Sequence, residues 1–132
     1  MKEIENDTVQ VWFEEGIVFL KFQKDTVLNL EAIKQTIELG ENFSVEEKQY
    51  VVCDITNVKS ATSEAREYGS KHGQNGIYAC AVLVNSYFTK FLFTSYIKFS
   101  KPDFPFAVFI SKEKAVKWLL EIKAKNEQGQ SF

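Results

Sequence analysis

Among 132 residues the chain has one Arg, one His, one Met, two Pro and two Cys. Each shortage excludes something. A lone His72 and two well-separated cysteines give no metal-ligand spacing, so no metal is expected. Cys53 and Cys80 each sit inside an apolar run (YVVCDI and YACAVLV), where a thiol is a small buried hydrophobe rather than an open, electropositive nucleophile. Two cysteines are also too few for a disulfide framework. With Arg66 as the only arginine, lysines spread along the chain and a formal net charge of −2, no basic patch is expected for nucleic acid. His72-Gly73-Gln74-Asn75-Gly76 lacks both a P-loop lysine and the Rossmann glycine pattern, so no nucleotide and no other cofactor is expected. No stretch reaches the 18 or more apolar residues of a membrane span. The opening MKEIENDT has no apolar signal-peptide core, and the expected location is the cytoplasm.

Phenylalanine is the residue in excess, at 12 copies. It concentrates in Ser86–Ser100 (SYFTKFLFTSYIKFS). At about 100° per residue, Phe88, Phe91, Leu92, Ser95 and Phe99 share one side of a helix. Phe93 and Ile97 lie on another side, with Tyr96 between. A helix apolar over that much of its circumference is fully buried or covered by something else. Phe88, Phe91, Leu92 and Phe99 are expected to pack on a sheet. Phe93, Tyr96 and Ile97 then remain, to meet the last helix around Trp118, to form a self-complementary dimer patch, or to line an apolar slot.

The remaining pattern alternates. Val9–Glu14 and Ile17–Phe22 read as strands joined at Glu15-Gly16, where glycine supplies the tight-turn backbone. Asn29 caps a helix over Leu30–Leu39, ended by Gly40. Tyr50–Ile55 and Ile77–Val84 are short continuous apolar runs, as in central parallel strands. Ser63–Lys71 reads as a helix between them. Phe106–Ile110 is the last strand, and Ser111 caps an amphipathic helix over Lys112–Lys125 with Ala115, Trp118, Leu119 and Ile122 inward. Glu113/Lys117 and Glu121/Lys125 are i,i+4 pairs on its wet side. Residues 126–132 read as a flexible tail. The expected fold is a single α/β domain over residues 1–132. Its order is β-β-α-β-α-β-α-β-α, giving a mixed, mostly parallel five-stranded sheet with an N-terminal antiparallel hairpin and four helices.

That order, with a strand ending in Asp54-Ile55-Thr56-Asn57-Val58 before a Ser/Thr-rich turn, resembles the STAS fold. It is closest to the SpoIIAA-like group of small bacterial proteins, whose architecture is loosely shared with CRAL-TRIO lipid-binding domains. The likeness spans residues 9–122 and rests on DITNVKSATSEAREYGS and AVLVNSYFTKFLFTSYIKFSKPDFPFAVFISKEKAVKWL. In the anti-anti-sigma branch an Asp-Ser pair at this turn carries a phosphorylated serine. Here Thr62-Ser63 falls on the pair, so Ser63 matches and Thr62 replaces the acid. The resemblance therefore implies Ser63 as a candidate phosphosite, beside the plainer role of capping its helix.

In open α/β sheets ligands collect beyond the carboxyl ends of the strands. Asp54, Thr56, Thr62, Asn85, Ser86 and Ser111 form a candidate polar rim there, or else cap helices and satisfy loop amides. The expected function is a non-enzymatic regulatory or protein-interaction module, a homodimer or a partner-binding protein that uses the aromatic helix. The alternative is a carrier or sensor of a small apolar, lipid-like ligand.

Overall fold

The computed structural model describes residues 3–43, 49–72, 76–91, 94 and 104–128. Its strands are β1 (Glu3–Glu5), β2 (Val9–Glu14), β3 (Ile17–Phe22), β4 (Thr26–Leu28), β5 (Gln49–Asp54), β6 (Val58–Ala61), β7 (Ile77–Leu83) and β8 (Phe106–Phe109). Helices α1 (Leu30–Phe43) and α2 (Ser63–His72) precede β5 and β7. A helix α3 begins after β7, with residues 87–91 and 94 described. Helix α4 (Lys112–Glu127) follows β8.

The main sheet has six strands in the order β1-β2-β3-β5-β7-β8. The first three are antiparallel, and β3, β5, β7 and β8 are parallel to one another. The five strands expected from the sequence are its core. β1 adds a sixth at the edge, and β4 pairs with β6 as a separate two-stranded parallel ribbon. These three elements have only three or four residues each, too short for a periodic signal.

The β2–β3 turn is the two-residue loop the sequence suggests. Glu15 and Gly16 both have positive φ, 55° and 81°, the left-handed geometry that matches strand twist in a tight hairpin. Asn29 caps α1 through Oδ1, which accepts the Ala32 N–H at 2.9 Å. Gly40 does not end that helix. It continues three more residues to Phe43, since glycine weakens a helix by only about 1 kcal/mol unless a left-handed cap forms.

The sheet is covered on both faces. Val18, Val51, Cys80, Val82 and Val108 meet Ala32 and Ile33 of α1 and Ala65 of α2 on one side. Ile17, Phe19, Val52, Ala79, Ala81 and Leu83 meet Ala115 and Leu119 of α4 on the other. This double cover explains why β3, β5 and β7 read as unbroken apolar runs rather than alternating ones. α4 extends two residues beyond its expected end, into the segment expected as tail. There Asn126 donates from Nδ2 to the Tyr50 hydroxyl at 2.7 Å.

Candidate functional site

Four parallel strands end at one rim, and the polar residues beyond them are held by short local bonds. Asp54 Oδ1 accepts both the Thr56 N–H at 2.9 Å and the Thr56 hydroxyl at 2.6 Å, closing the turn after β5. Asn85, just past β7, donates from Nδ2 to the Thr56 carbonyl at 3.1 Å. Asn57 donates to the Phe22 carbonyl at the end of β3. The loop 55–57 is thus clamped between two strand ends, and the structure brings Asp54, Thr56 and Asn85 into one linked group.

The other rim residues act at their own helix starts. Ser86 Oγ accepts the Thr89 N–H at 3.1 Å and begins α3. Ser111 Oγ accepts the Lys114 N–H at 3.3 Å and begins α4. At α2 the cap is Thr62, whose Oγ1 accepts the Ala65 N–H at 3.1 Å. The capping role expected of Ser63 therefore belongs to its neighbour, because the backbone places residue 62, not 63, just outside the first turn. Ser63 is exposed, and its Oγ accepts from Arg66 Nη2 at 3.3 Å.

Both thiols face the α1 side of the sheet, Cys80 buried and Cys53 half-buried. Burial first, and then the neighbouring Asp54 charge, pushes the Cys53 thiol up to about 12. Burial, with Cys53 nearby, pushes Cys80 up as well. Neither is a thiolate near neutral pH, which removes the nucleophile a cysteine mechanism needs. Among the described residues no three His, Cys, Asp or Glu side chains gather as a metal site, and no helix is long and apolar enough to cross a membrane.

The first turn of α3 departs from expectation. Tyr87, Phe88 and Phe91 are 80%, 71% and 66% exposed, so Phe88 and Phe91 do not pack on the sheet. Spacings of three and four residues place the three rings together on one face, directly beyond Asn85 and Ser86. Sequence periodicity groups Phe88 with Phe91 but not Tyr87, and does not say which way the first turn points. Phe93, Tyr96 and Ile97 lie outside the described residues.

A feature with no linear signal is a cavity of about 320 Å³ between α1 and the sheet. Apolar side chains including Leu20, Phe22, Ile33 and Ile37 line it together with Cys53 and Cys80, while Glu41 and Gln49 supply polar edges.

A sheet with an antiparallel edge, four parallel strands and helices on both faces defines a SpoIIAA-like fold. The chain is similar to the crystal structure, at 2.25 Å resolution, of an uncharacterized protein of the DUF3478 family with a SpoIIAA-like fold from Shewanella loihica PV-4. The two share 19% sequence identity at a TM-score of 0.62, over 84% of this chain and 91% of that one. Residues 11–123 match the domain of unknown function DUF7793, and the chain belongs to that family. No curated protein matches it.

Proposed function

We propose that this domain is a non-enzymatic interaction module that docks a protein partner through the first turn of α3 and the adjoining rim. The carrying observation is the exposure of Tyr87, Phe88 and Phe91 in one place. Single exposed apolar residues are ordinary, but a cluster of aromatic rings beside a polar rim is the composition of a recognition surface. Covering Phe88 and Phe91 would contribute roughly 1.5–3 kcal/mol each. The rim favours docking over turnover, because Asp54 Oδ1 holds Thr56 and the Asn85 amide holds the Thr56 carbonyl, so these groups brace the loop. Ser63 gives the same end of the molecule a regulatory handle. A phosphoryl group there would sit at the start of α2 beside Arg66, where negative charge is favoured.

The test is Phe88→Glu/Phe91→Glu, compared with wild type by native mass spectrometry and by affinity capture from source cells. A partner or assembly bound by wild type and lost in a variant with unchanged melting temperature supports docking at α3. Identical binding by both proteins removes that surface from consideration.

The cavity under α1 favours a second reading, a carrier of a small apolar ligand. Its walls are mostly aliphatic, aromatic and thiol, edged by Thr36, Glu41 and Gln49, and its volume lies at the small end of ligand pockets. A reproducible few-hundred-dalton adduct on gently purified protein, lost in Ile37→Trp, is the expected result. A ligand-free protein that Ile37→Trp merely stabilises would show a plain packing void.

A further inference from the structure

We infer that the outer face of α4 is a homodimer interface, in which two copies of the helix pack antiparallel about a two-fold axis at the level of Leu119. Along one side α4 presents a shallow, open apolar strip of Val116, Leu120 and Ala124, bordered by Lys112, Glu113, Lys117 and Glu121. Val116 and Leu120 pack part of their surface against the core beside Leu119 and leave the rest open, and Ala124 is exposed. The i,i+4 pairs expected of its charges do not close. The described ion pairs are Lys71–Glu67 and Lys123–Glu127, and Glu113, Lys117, Glu121 and Lys125 are all exposed.

Their order identifies the occupant. Reading along α4, positions 113, 117, 121 and 125 are acid, base, acid, base. Reversal about residue 119 exchanges 117 with 121 and 113 with 125, so every acid meets a base of the second copy. A two-fold axis normal to the plane of an antiparallel pair brings the same edge of each helix together. Lys117 then faces Glu121 of the other copy, twice by symmetry, and Glu113 faces its Lys125. Between the charged edges Val116, Leu120 and Ala124 interleave with their symmetry mates, ridge into groove. Ala124 at the end of the stripe allows close approach. A single helix face is a small interface, so the dimer exchanges readily. This surface is separate from the aromatic turn of α3.

The experiment uses two full-length double variants. Lys117→Glu/Lys125→Glu makes the edge wholly acidic, and Glu113→Lys/Glu121→Lys makes it wholly basic. Native mass spectrometry of wild type is expected to show a dimer. Each variant alone should have its dissociation constant raised by at least about tenfold, because like charges then face each other. Mixing the two should restore a dimer, visible by mass as a heterodimer. All four positions are exposed, and unchanged melting temperatures confirm that the variants fold. A monomeric wild type, variants as dimeric as wild type, or a mixture without heterodimer would each overturn the assignment. Phe88→Glu/Phe91→Glu should leave this dimer intact, which keeps failure here distinct from failure of docking at α3.

Discussion

The Thr62 hydroxyl accepts the Ala65 N–H at 3.1 Å, and the Thr62 carbonyl accepts the Arg66 N–H at 3.0 Å. Thr62 is therefore the cap of α2, and Ser63, one residue inside, is exposed and accepts only from the Arg66 side chain among the described bonds. Removing a Thr cap costs about 1 kcal/mol, whereas an exposed first-turn residue contributes within about 0.5 kcal/mol. Urea unfolding should show Thr62→Ala destabilised by that larger amount and Ser63→Ala close to wild type. The reverse order would return the cap to Ser63 and take away its availability as a phosphosite.

The two thiols make a pH prediction. The ordinary cysteine value is near 9.0, and Cys53 in the folded chain is pushed up to about 12 by burial and then by Asp54, with Cys80 moved the same way. The folded state thus keeps protons that the unfolded chain releases. The resulting stability is complete below pH 9 and is lost as pH rises towards 12, at on the order of 1 kcal/mol per pH unit for each thiol. Urea midpoints measured at pH 8 and pH 10 should fall less in Cys53→Val/Cys80→Val than in wild type. Parallel slopes would mean that other groups carry the alkaline loss.

How much of this was legible follows from range. Val9–Glu14 and Ile17–Phe22 were readable to the residue because Glu15-Gly16 marks the turn and apolar side chains fill both strands. Asn29 and Ser111 announced their helices, since a cap and its amide lie within three residues. β4 and β6 were not legible. Val27 and Ser60 become strand residues only because the fold places them side by side, a long-range event with no local signature. The exposure of Phe88 and the cavity beneath Ile33 escaped for the same reason. Composition states which residues are apolar, while the trajectory of the backbone decides which of them find cover.

Asp54 is better placed to hold a turn than to move a proton. Its Oδ1 takes two bonds from Thr56, and hydrogen bonds to a charged group contribute about 1.5–3 kcal/mol. Asp54→Ala should lose that amount in chemical denaturation. Asp54→Asn keeps an acceptor oxygen and should lose less than half as much. Equal losses would show that the negative charge, rather than the acceptor geometry, matters at this strand end.

Glycine positions give the last prediction, and it returns to the cavity. A Cβ added at Gly40 would meet nothing within 4 Å, and one at Gly69 would make an ordinary contact with Ile33 Cγ1 at 3.7 Å. Both residues are helical, so alanine at either restricts the unfolded chain without strain and should stabilise by about 0.5–1 kcal/mol. Gly16 is the opposite case. Its φ of +81° and the Lys123 side chain lying over it make Gly16→Ala destabilising. Gly40 also lines the cavity, so a larger side chain there probes its use. Gly40→Leu should stabilise the protein as Gly40→Ala does and abolish any apolar adduct seen by native mass spectrometry. Retention of the adduct in Gly40→Leu would place the ligand elsewhere, and a loss of stability in Gly40→Ala would contradict the continuous helix drawn through residue 40.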